Sequence, residues 1–288
     1  MINKEIKIKI DYEGLGVKPT PVPQHAEERE YDGAILTSYI LDERNVTNSL
    51  WNKRPAVIVC PGGGYELTSD REAEPIALEY CAAGMHAFIL DYSVSPCGWP
   101  VPLCELSKAI EYVKSIADEN NIDKDRIFVC GFSAGGHLVA SLGVHHSHPD
   151  VLKYSGVKKG DNIPAGLILG YPVITNDKDN THWGTINNFM AGREELYDLA
   201  GLEKHVTSDT PPTFLWHTST DEAVPVVSSL RFATALYENN VKFELHIYPK
   251  GEHGLGLGND VTASWEDGVI PCVQDWVDLS VRWIKELK

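Results

Sequence analysis

The sequence predicts an α/β fold in which a mainly parallel central sheet carries helices on both faces. From Pro55 onward, apolar runs of strand length alternate with segments whose apolar residues have helical spacing. Runs such as Pro55–Cys60 (PAVIVC) are continuously apolar, which is typical of strands buried on both faces. Strands that alternate with helices indicate parallel pairing. With 288 residues and 43% hydrophobic content, the chain can form one large core, so we expect a single domain over residues 1–288.

The composition excludes several classes of protein. Lys and Arg number 25 against 41 Asp and Glu, a formal net charge of −16, so we expect no nonspecific binding of nucleic acid or anionic membrane. No stretch approaches 18 consecutive apolar residues, and the first residues, MINKEIKIKIDYEG, lack the apolar run of a signal peptide. The six cysteines are scattered without a CxxC pair. We therefore expect no structural metal and a reducing, cytoplasmic setting.

The N-terminal part precedes the alternation of strands and helices. Ile2–Ile10 alternates charged and apolar residues, the pattern of a half-exposed strand. Gly16–Gln24 contains three prolines and is predicted as a loop. Ala34–Leu41 is predicted as a second strand and is a candidate antiparallel partner of the first.

Six strands and five helices are predicted in the alternating part. The strands are Pro55–Cys60, His86–Tyr92, Ile127–Cys130, Ala165–Tyr171, Thr213–Thr218 and Phe243–Tyr248. The helices cover residues 75–83, 103–117, 230–236 and 273–287, and one more begins directly after Cys130 and a short glycine-containing turn.

One segment, Ile174–Ser208, interrupts this alternation. It is rich in Asn, Asp and Gly and contains two short helical patterns. Ligands bind at the carboxyl ends of the strands in open parallel sheets, and this segment follows a strand end. We therefore expect a short cap over the site, covering about residues 174–208.

The turn Gly131-Phe132-Ser133-Ala134-Gly135 matches G-x-S-x-G between a predicted strand and a predicted helix. A serine on such a sharp turn has an exposed hydroxyl and strained backbone angles, and its neighbours two residues away must be small. The alternative is a glycine-rich turn that happens to contain a serine. The predicted strand before the turn and the helix after it favour Ser133 as a nucleophile.

A serine nucleophile needs a base and a carboxylate that orients the base. Asp221 follows the strand TFLWHT, and His253 follows the strand FELHIY in the loop Lys250-Gly251-Glu252-His253-Gly254, which has a glycine on either side of the histidine. Both lie on loops after strands, in the chain order Ser, Asp, His. Glu222 is an alternative to Asp221 as the acid. The sequence therefore predicts that Ser133, His253 and Asp221 form a catalytic triad.

Glycines also follow the first long apolar strand, in Pro61-Gly62-Gly63-Gly64-Tyr65. Glycines allow backbone amides to approach a developing oxyanion closely. We expect the amides of Gly63, Gly64 and Ala134 to form an oxyanion hole. A phosphate-binding loop is the rival interpretation, but neither GK[ST] nor G-x-G-x-x-G is present.

With these motifs, the chain resembles an α/β-hydrolase of the group that contains the bacterial acetyl esterases and acetylxylan esterases. The matching pieces are PGGGY, GFSAGGH, TFLWHTSTDEAVP and ELHIYPKGEHGLGL, which span Pro55–Gly258. Relatives with an HGGG motif carry a histidine where this chain has Pro61. The resemblance implies the α/β-hydrolase fold and ester hydrolysis through an acyl-enzyme, with no metal or cofactor. It leaves open a general carboxylesterase, an amidase such as an arylformamidase, and a catalytically silent binding protein.

The expected substrate is a small-molecule ester, with an acetyl or other short acyl group on a sugar or small oligosaccharide. The segment Ile174–Ser208 is too short and polar to provide an apolar groove for long acyl chains. Tyr65, His182 and Trp183 are candidate substrate contacts, since aromatic and polar groups together suit a sugar. His145, His146 and His148 are interpreted as a solvated helix end rather than a metal site. The sequence leaves the oligomeric state open.

Overall fold

An eight-stranded sheet forms the centre of the computed structural model, which describes residues 1–20, 31–42 and 53–287. Its strands are β1 Ile2–Ile8, β2 Ala34–Ile40, β3 Arg54–Cys60, β4 His86–Asp91, β5 Ile122–Phe132, β6 Gly166–Gly170, β7 Thr213–Thr218 and β8 Phe243–Tyr248. The α-helices are α1 Tyr12–Leu15, α2 Glu74–Ala82, α3 Val101–Ser115, α4 Ser133–His145, α5 Pro149–Ser155, α6 Trp183–Met190, α7 Val227–Glu238 and α8 Trp276–Glu286.

The strand order is β1-β2-β4-β3-β5-β6-β7-β8. β3 to β8 run parallel, whereas β1 pairs antiparallel with β2, and β2 pairs antiparallel with β4. The predicted α/β fold class, with its mainly parallel sheet, is confirmed, and so is the antiparallel pairing of the first two strands. Residues 21–24 of the predicted N-terminal loop lie outside the described residues.

Helices cover both faces of the sheet, which explains the continuous apolar runs. On β3, Ala56, Ile58 and Cys60 pack into one core cluster with side chains of α3, α4, α5 and α7. The alternate residues Val57 and Val59 pack into a second cluster with α2 and α8. Because a strand points successive side chains to opposite faces, a strand between two helical layers must be apolar at every position.

The structure contains two helices that the sequence did not predict, α1 and α5, and one strand that is longer than predicted, β5. β5 begins at Ile122 rather than Ile127, because Arg54 of β3 pairs with Ile122 and extends the ladder beyond the apolar run. α5 was not predicted. Its N-cap is His148, whose Nδ1 accepts from the Asp150 amide at 3.2 Å, and the left-handed Gly156 ends it.

The segment 174–208 contains α6 and three short 3₁₀ turns, whereas the sequence suggested two short helices. It packs on loops at the carboxyl edge of the sheet. The side-chain amide of Asn188 donates to Gly64 O at 2.9 Å, and the backbone amide of Trp99 donates to Phe189 O at 2.8 Å. Nε2 of the buried His137 donates to Ala200 O at 3.2 Å. Among the described residues, no helix is both long and apolar enough to cross a membrane.

Candidate active site

Ser133 stands where β5 ends and α4 begins, with a left-handed backbone (φ +52°). For a residue with a side chain this conformation costs about 1–2 kcal/mol. The flanking glycines make the turn sterically feasible. A Cβ on Gly131 would lie 2.3 Å from Gly135 O, and a Cβ on Gly135 would lie 2.1 Å from Cys60 O. Neither position can accept a larger residue, so the strained turn depends on both glycines.

The structure brings Ser133, His253 and Asp221 together from the carboxyl ends of β5, β8 and β7. Ser133 Oγ lies 2.7 Å from His253 Nε2, and His253 Nδ1 lies 2.7 Å from Asp221 Oδ2. A carboxylate can only accept, so Nδ1 carries the proton and Nε2 accepts from the serine hydroxyl. Glu222, the alternative acid, is exposed. The arrangement allows His253 to take the proton of Ser133.

The Asp221 carboxylate is fully enclosed and held at both oxygens. Oδ1 accepts from the amides of Ala223 at 3.0 Å and Val224 at 2.9 Å, and His217 Nε2 lies 3.3 Å from Oδ2. Burial alone would raise the pKa of Asp221. The hydrogen bonds from His217, His253 and Val224 outweigh it and hold that pKa well below its usual range. Asp221 is therefore ionised wherever His253 acts as a base.

The glycine loop after β3 places backbone amides beside Ser133. Gly63 and Gly64 have positive φ values of 129° and 67°, and both line the cleft that contains Ser133. Within the described residues, neither amide donates to a protein acceptor. The Ala134 amide lies in the first turn of α4, where amides have no partner within the helix. All three amides of the predicted oxyanion hole can therefore donate to a ligand.

Glu72, which the sequence reasoning missed, occupies the space beneath this loop. It is only 3% exposed. Its Oε2 accepts from the Gly62 amide at 2.7 Å, and its Oε1 accepts from the Tyr171 hydroxyl at 2.7 Å. Burial raises its pKa, partly offset by these two donors. Tyr171 in turn accepts from the Gly256 amide at 2.9 Å, and its ring lies 5.0 Å from that of His253. Glu72 thus connects the oxyanion loop to the histidine loop.

We expect Glu72→Gln to lower kcat by about tenfold to a hundredfold, because displacing catalytic groups by about 1 Å has effects of this size. Both partners of Glu72 are donors, and a glutamine has only one oxygen to accept. At least one of the two bonds must therefore be lost or reversed in direction. The assay is turnover of p-nitrophenyl acetate, and the melting temperature of each variant should equal that of the wild type. Asp70→Asn, on the same turn and exposed, is the matched control. Equal kcat values for Glu72→Gln and Asp70→Asn would contradict the role of Glu72 in connecting the oxyanion loop to the histidine loop.

The cleft above Ser133 has a volume of about 540 Å³, within the usual range for small-molecule sites. Of the three predicted substrate contacts, His182 lines it, close to the Gly64 Cα. Tyr65 does not, because its ring is buried at 2% exposure and its hydroxyl donates to His137 Nδ1 at 3.0 Å. Trp183 lines a different cleft with Tyr197, under the Lys178 ammonium. The prediction that Tyr65 and Trp183 contact the substrate is therefore corrected, because packing turns both rings away from Ser133.

The histidine cluster at the C-terminal end of α4 also differs from the expectation. His145 and His146 are buried rather than solvated. His145 Nε2 donates to Leu199 O at 3.1 Å, which ties α4 to the segment 174–208. Burial lowers the pKa of His145 to about 4. Across residues 1–20, 31–42 and 53–287, no group of three or more His, Cys, Asp or Glu side chains could hold a metal ion.

A model of the BD-FAE family matches residues 46–236. Among curated proteins, the chain is 36% identical over 228 residues to endo-1,4-beta-xylanase B of Butyrivibrio fibrisolvens, covering 75% of this chain and 35% of the xylanase. It is 28% identical to an acetylxylan esterase of Xylanibacter ruminicola, covering 70% of this chain and 41% of that esterase. The chain therefore spans well under half of either relative.

Solved structures match over nearly the full length of the chain. An acetyl ester-xyloside bifunctional hydrolase from Caldicellulosiruptor lactoaceticus is 34% identical with a TM-score of 0.74, covering 94% of this chain and 97% of the other. A carboxylesterase from Lactobacillus plantarum is 28% identical with a TM-score of 0.82, covering 99% and 98%. The architecture described above is thus shared along almost the whole chain.

Proposed function

The chain belongs to the BD-FAE family of α/β-hydrolases, and from that premise we propose that it is a serine carboxylic-ester hydrolase acting on short-chain esters of sugars. The observation that carries the proposal is the continuous hydrogen-bonded row from Ser133 through His253 to Asp221. Its geometry fits general-base activation of a serine. Relatives named as esterases support the same activity.

The proposed reaction follows from the positions of these groups. His253 Nε2 removes the proton of Ser133 as Oγ attacks the ester carbonyl carbon. The amides of Gly63, Gly64 and Ala134 stabilise the negative oxygen of the tetrahedral intermediate. His253 then protonates the alcohol oxygen, the C–O bond breaks and an acyl-serine remains. Water attacks the acyl-serine in the same way, and the acid and free enzyme are released.

The lining of the cleft supports a short acyl group. Among the described residues, its apolar side chains are only those of Leu67, Ala223 and Trp265, and the others are glycines, polar or charged. A long acyl chain needs a continuous apolar surface, which this lining does not offer. Asn188 of the segment 174–208 bonds to the loop that carries the oxyanion amides, so we propose that this segment is a cap that limits the cleft.

We expect kcat/KM for p-nitrophenyl esters to fall steeply beyond butyrate. Each methylene that a fitted pocket rejects costs about 1–3 kcal/mol, or about 10–200-fold. The measurement is a series from acetate to octanoate under identical conditions. A rise in kcat/KM along the series would contradict the short-acyl specificity while leaving the serine mechanism intact.

A general small-ester carboxylesterase is the second candidate, and the similarity to the Lactobacillus plantarum carboxylesterase favours it. Three kinds of substrate distinguish these candidate activities: acetylated xylo-oligosaccharides, simple aryl acetates and acetanilides. Cleavage of the sugar esters supports the first candidate, and cleavage of aryl acetates alone supports the second. Anilide cleavage would indicate an amidase.

We further propose a cytoplasmic setting, because all six cysteines are free thiols.

A further inference from the structure

Trp265 and Arg71 form one wall of the cleft that contains Ser133 and His253. Trp265 is 37% exposed, unlike the buried Tyr65. The Arg71 guanidinium lies 5.4 Å from the centre of the indole ring, a cation–π contact that holds the ring in place. Arg71 Nη1 also donates to Gly254 O at 3.4 Å. This wall is therefore attached to the residue that directly follows His253.

The position of this wall decides which part of an ester it meets. The leaving alcohol oxygen must lie next to His253 Nε2, because that nitrogen supplies its proton. The carbonyl oxygen must instead face the amides of Gly63 and Gly64. Trp265 is held through Arg71 to the carbonyl of Gly254, next to His253, and from this attachment we assign Trp265 to the side of the leaving alcohol.

We propose that the Trp265–Arg71 pair is the binding subsite for the sugar ring of the leaving alcohol. This inference rests on the proposed esterase function and adds the group that selects the alcohol. A pyranose ring has a face of C–H groups that packs on a flat aromatic ring, and hydroxyls at its rim that accept from a guanidinium. An acyclic alcohol offers no such face. The pair therefore favours cyclic sugar alcohols over simple ones.

The test compares two acetates whose alcohols differ, a mono-acetylated methyl β-xylopyranoside and ethyl acetate. For Trp265→Ala, the ratio of kcat/KM for the xyloside to that for ethyl acetate should fall about tenfold or more, the range for losing a fitted apolar contact. Trp265→Phe should recover much of the ratio, because it keeps an aromatic face. It also keeps the test valid if the alanine variant folds poorly.

Trp183→Ala is the matched control, since Trp183 lines a separate cleft, and its ratio should equal that of the wild type. The subsite assignment is wrong if a folded Trp265→Ala variant keeps the wild-type ratio of kcat/KM for the xyloside to kcat/KM for ethyl acetate. It is also wrong if this ratio falls in Trp183→Ala instead. A wild-type enzyme that cleaves ethyl acetate and ignores the xyloside also overturns it, but leaves the esterase activity standing. Failure to cleave either acetate would refute the proposed function itself.

Discussion

Ser133→Ala should lower kcat for p-nitrophenyl acetate by about 10⁶-fold, the loss seen when a serine nucleophile is removed from a hydrogen-bonded triad. Oγ is the atom placed 2.7 Å from the base, and alanine offers no other nucleophile there. The backbone should tolerate the change, because serine and alanine carry the same left-handed strain at φ +52°.

The fold of Ser133→Ala should persist, with a free energy of unfolding within about 1 kcal/mol of wild type. Ser115→Ala is the control, since it removes an exposed hydroxyl at the end of α3 that donates to Tyr112 O. A fluorophosphonate should label the wild type and the control, but not Ser133→Ala. Turnover near that of the wild type in Ser133→Ala would show that the nucleophile lies elsewhere.

Asp221→Asn should lower kcat by about 10⁴-fold, the size of effect that follows from a wrong histidine tautomer. The two backbone amides of Ala223 and Val224 donate to Oδ1, so the asparagine oxygen must take that position. Its NH₂ group then occupies the place of Oδ2 and donates toward His253 Nδ1. The proton of the imidazole moves to Nε2, which can no longer accept from Ser133.

Glu222→Gln is the matched control for this change, because Glu222 is the neighbouring exposed carboxylate. Its kcat should match that of the wild type. A large loss of kcat in Glu222→Gln instead of in Asp221→Asn would show that Glu222 is the acid.

The pH dependence of stability gives a second test of Asp221. Folding lowers the pKa of Asp221, so its stabilisation is complete above the unfolded value of about 3.9 and is lost as pH falls below it. The stability gap between wild type and Asp221→Asn should therefore narrow in acid.

Much of the site could be predicted because its signals are local. G-x-S-x-G encodes its own turn, since only small residues fit two positions from Ser133. Asp221 and His253 each follow a strongly apolar strand, and parallel strands deliver their carboxyl ends to one edge. The glycines after β3 likewise indicate amides free to donate. These inferences needed the order of elements along the chain and no knowledge of which helix packs on which strand.

The errors concern residues whose surroundings come from distant parts of the chain. Tyr65 is adjacent to the oxyanion glycines, yet its ring points into the core against His137. Trp183 follows His182 directly, but the first turn of α6 directs the two side chains into different clefts. Neighbours in sequence do not share an environment when the backbone turns between them, so proximity to a motif was a poor guide for both.

By itself, then, the sequence determined the fold class and the residues from which the site is built, because hydrophobic runs, glycine spacing and the order of loops act over a few residues. Only the tertiary structure decided how these groups are supported. It buried Glu72, from a stretch of mostly charged residues, under Gly62, and it brought Trp265 beside Arg71 at the cleft. Contacts of this kind join residues brought together by the packing of helices and loops on the sheet, and no local pattern records them.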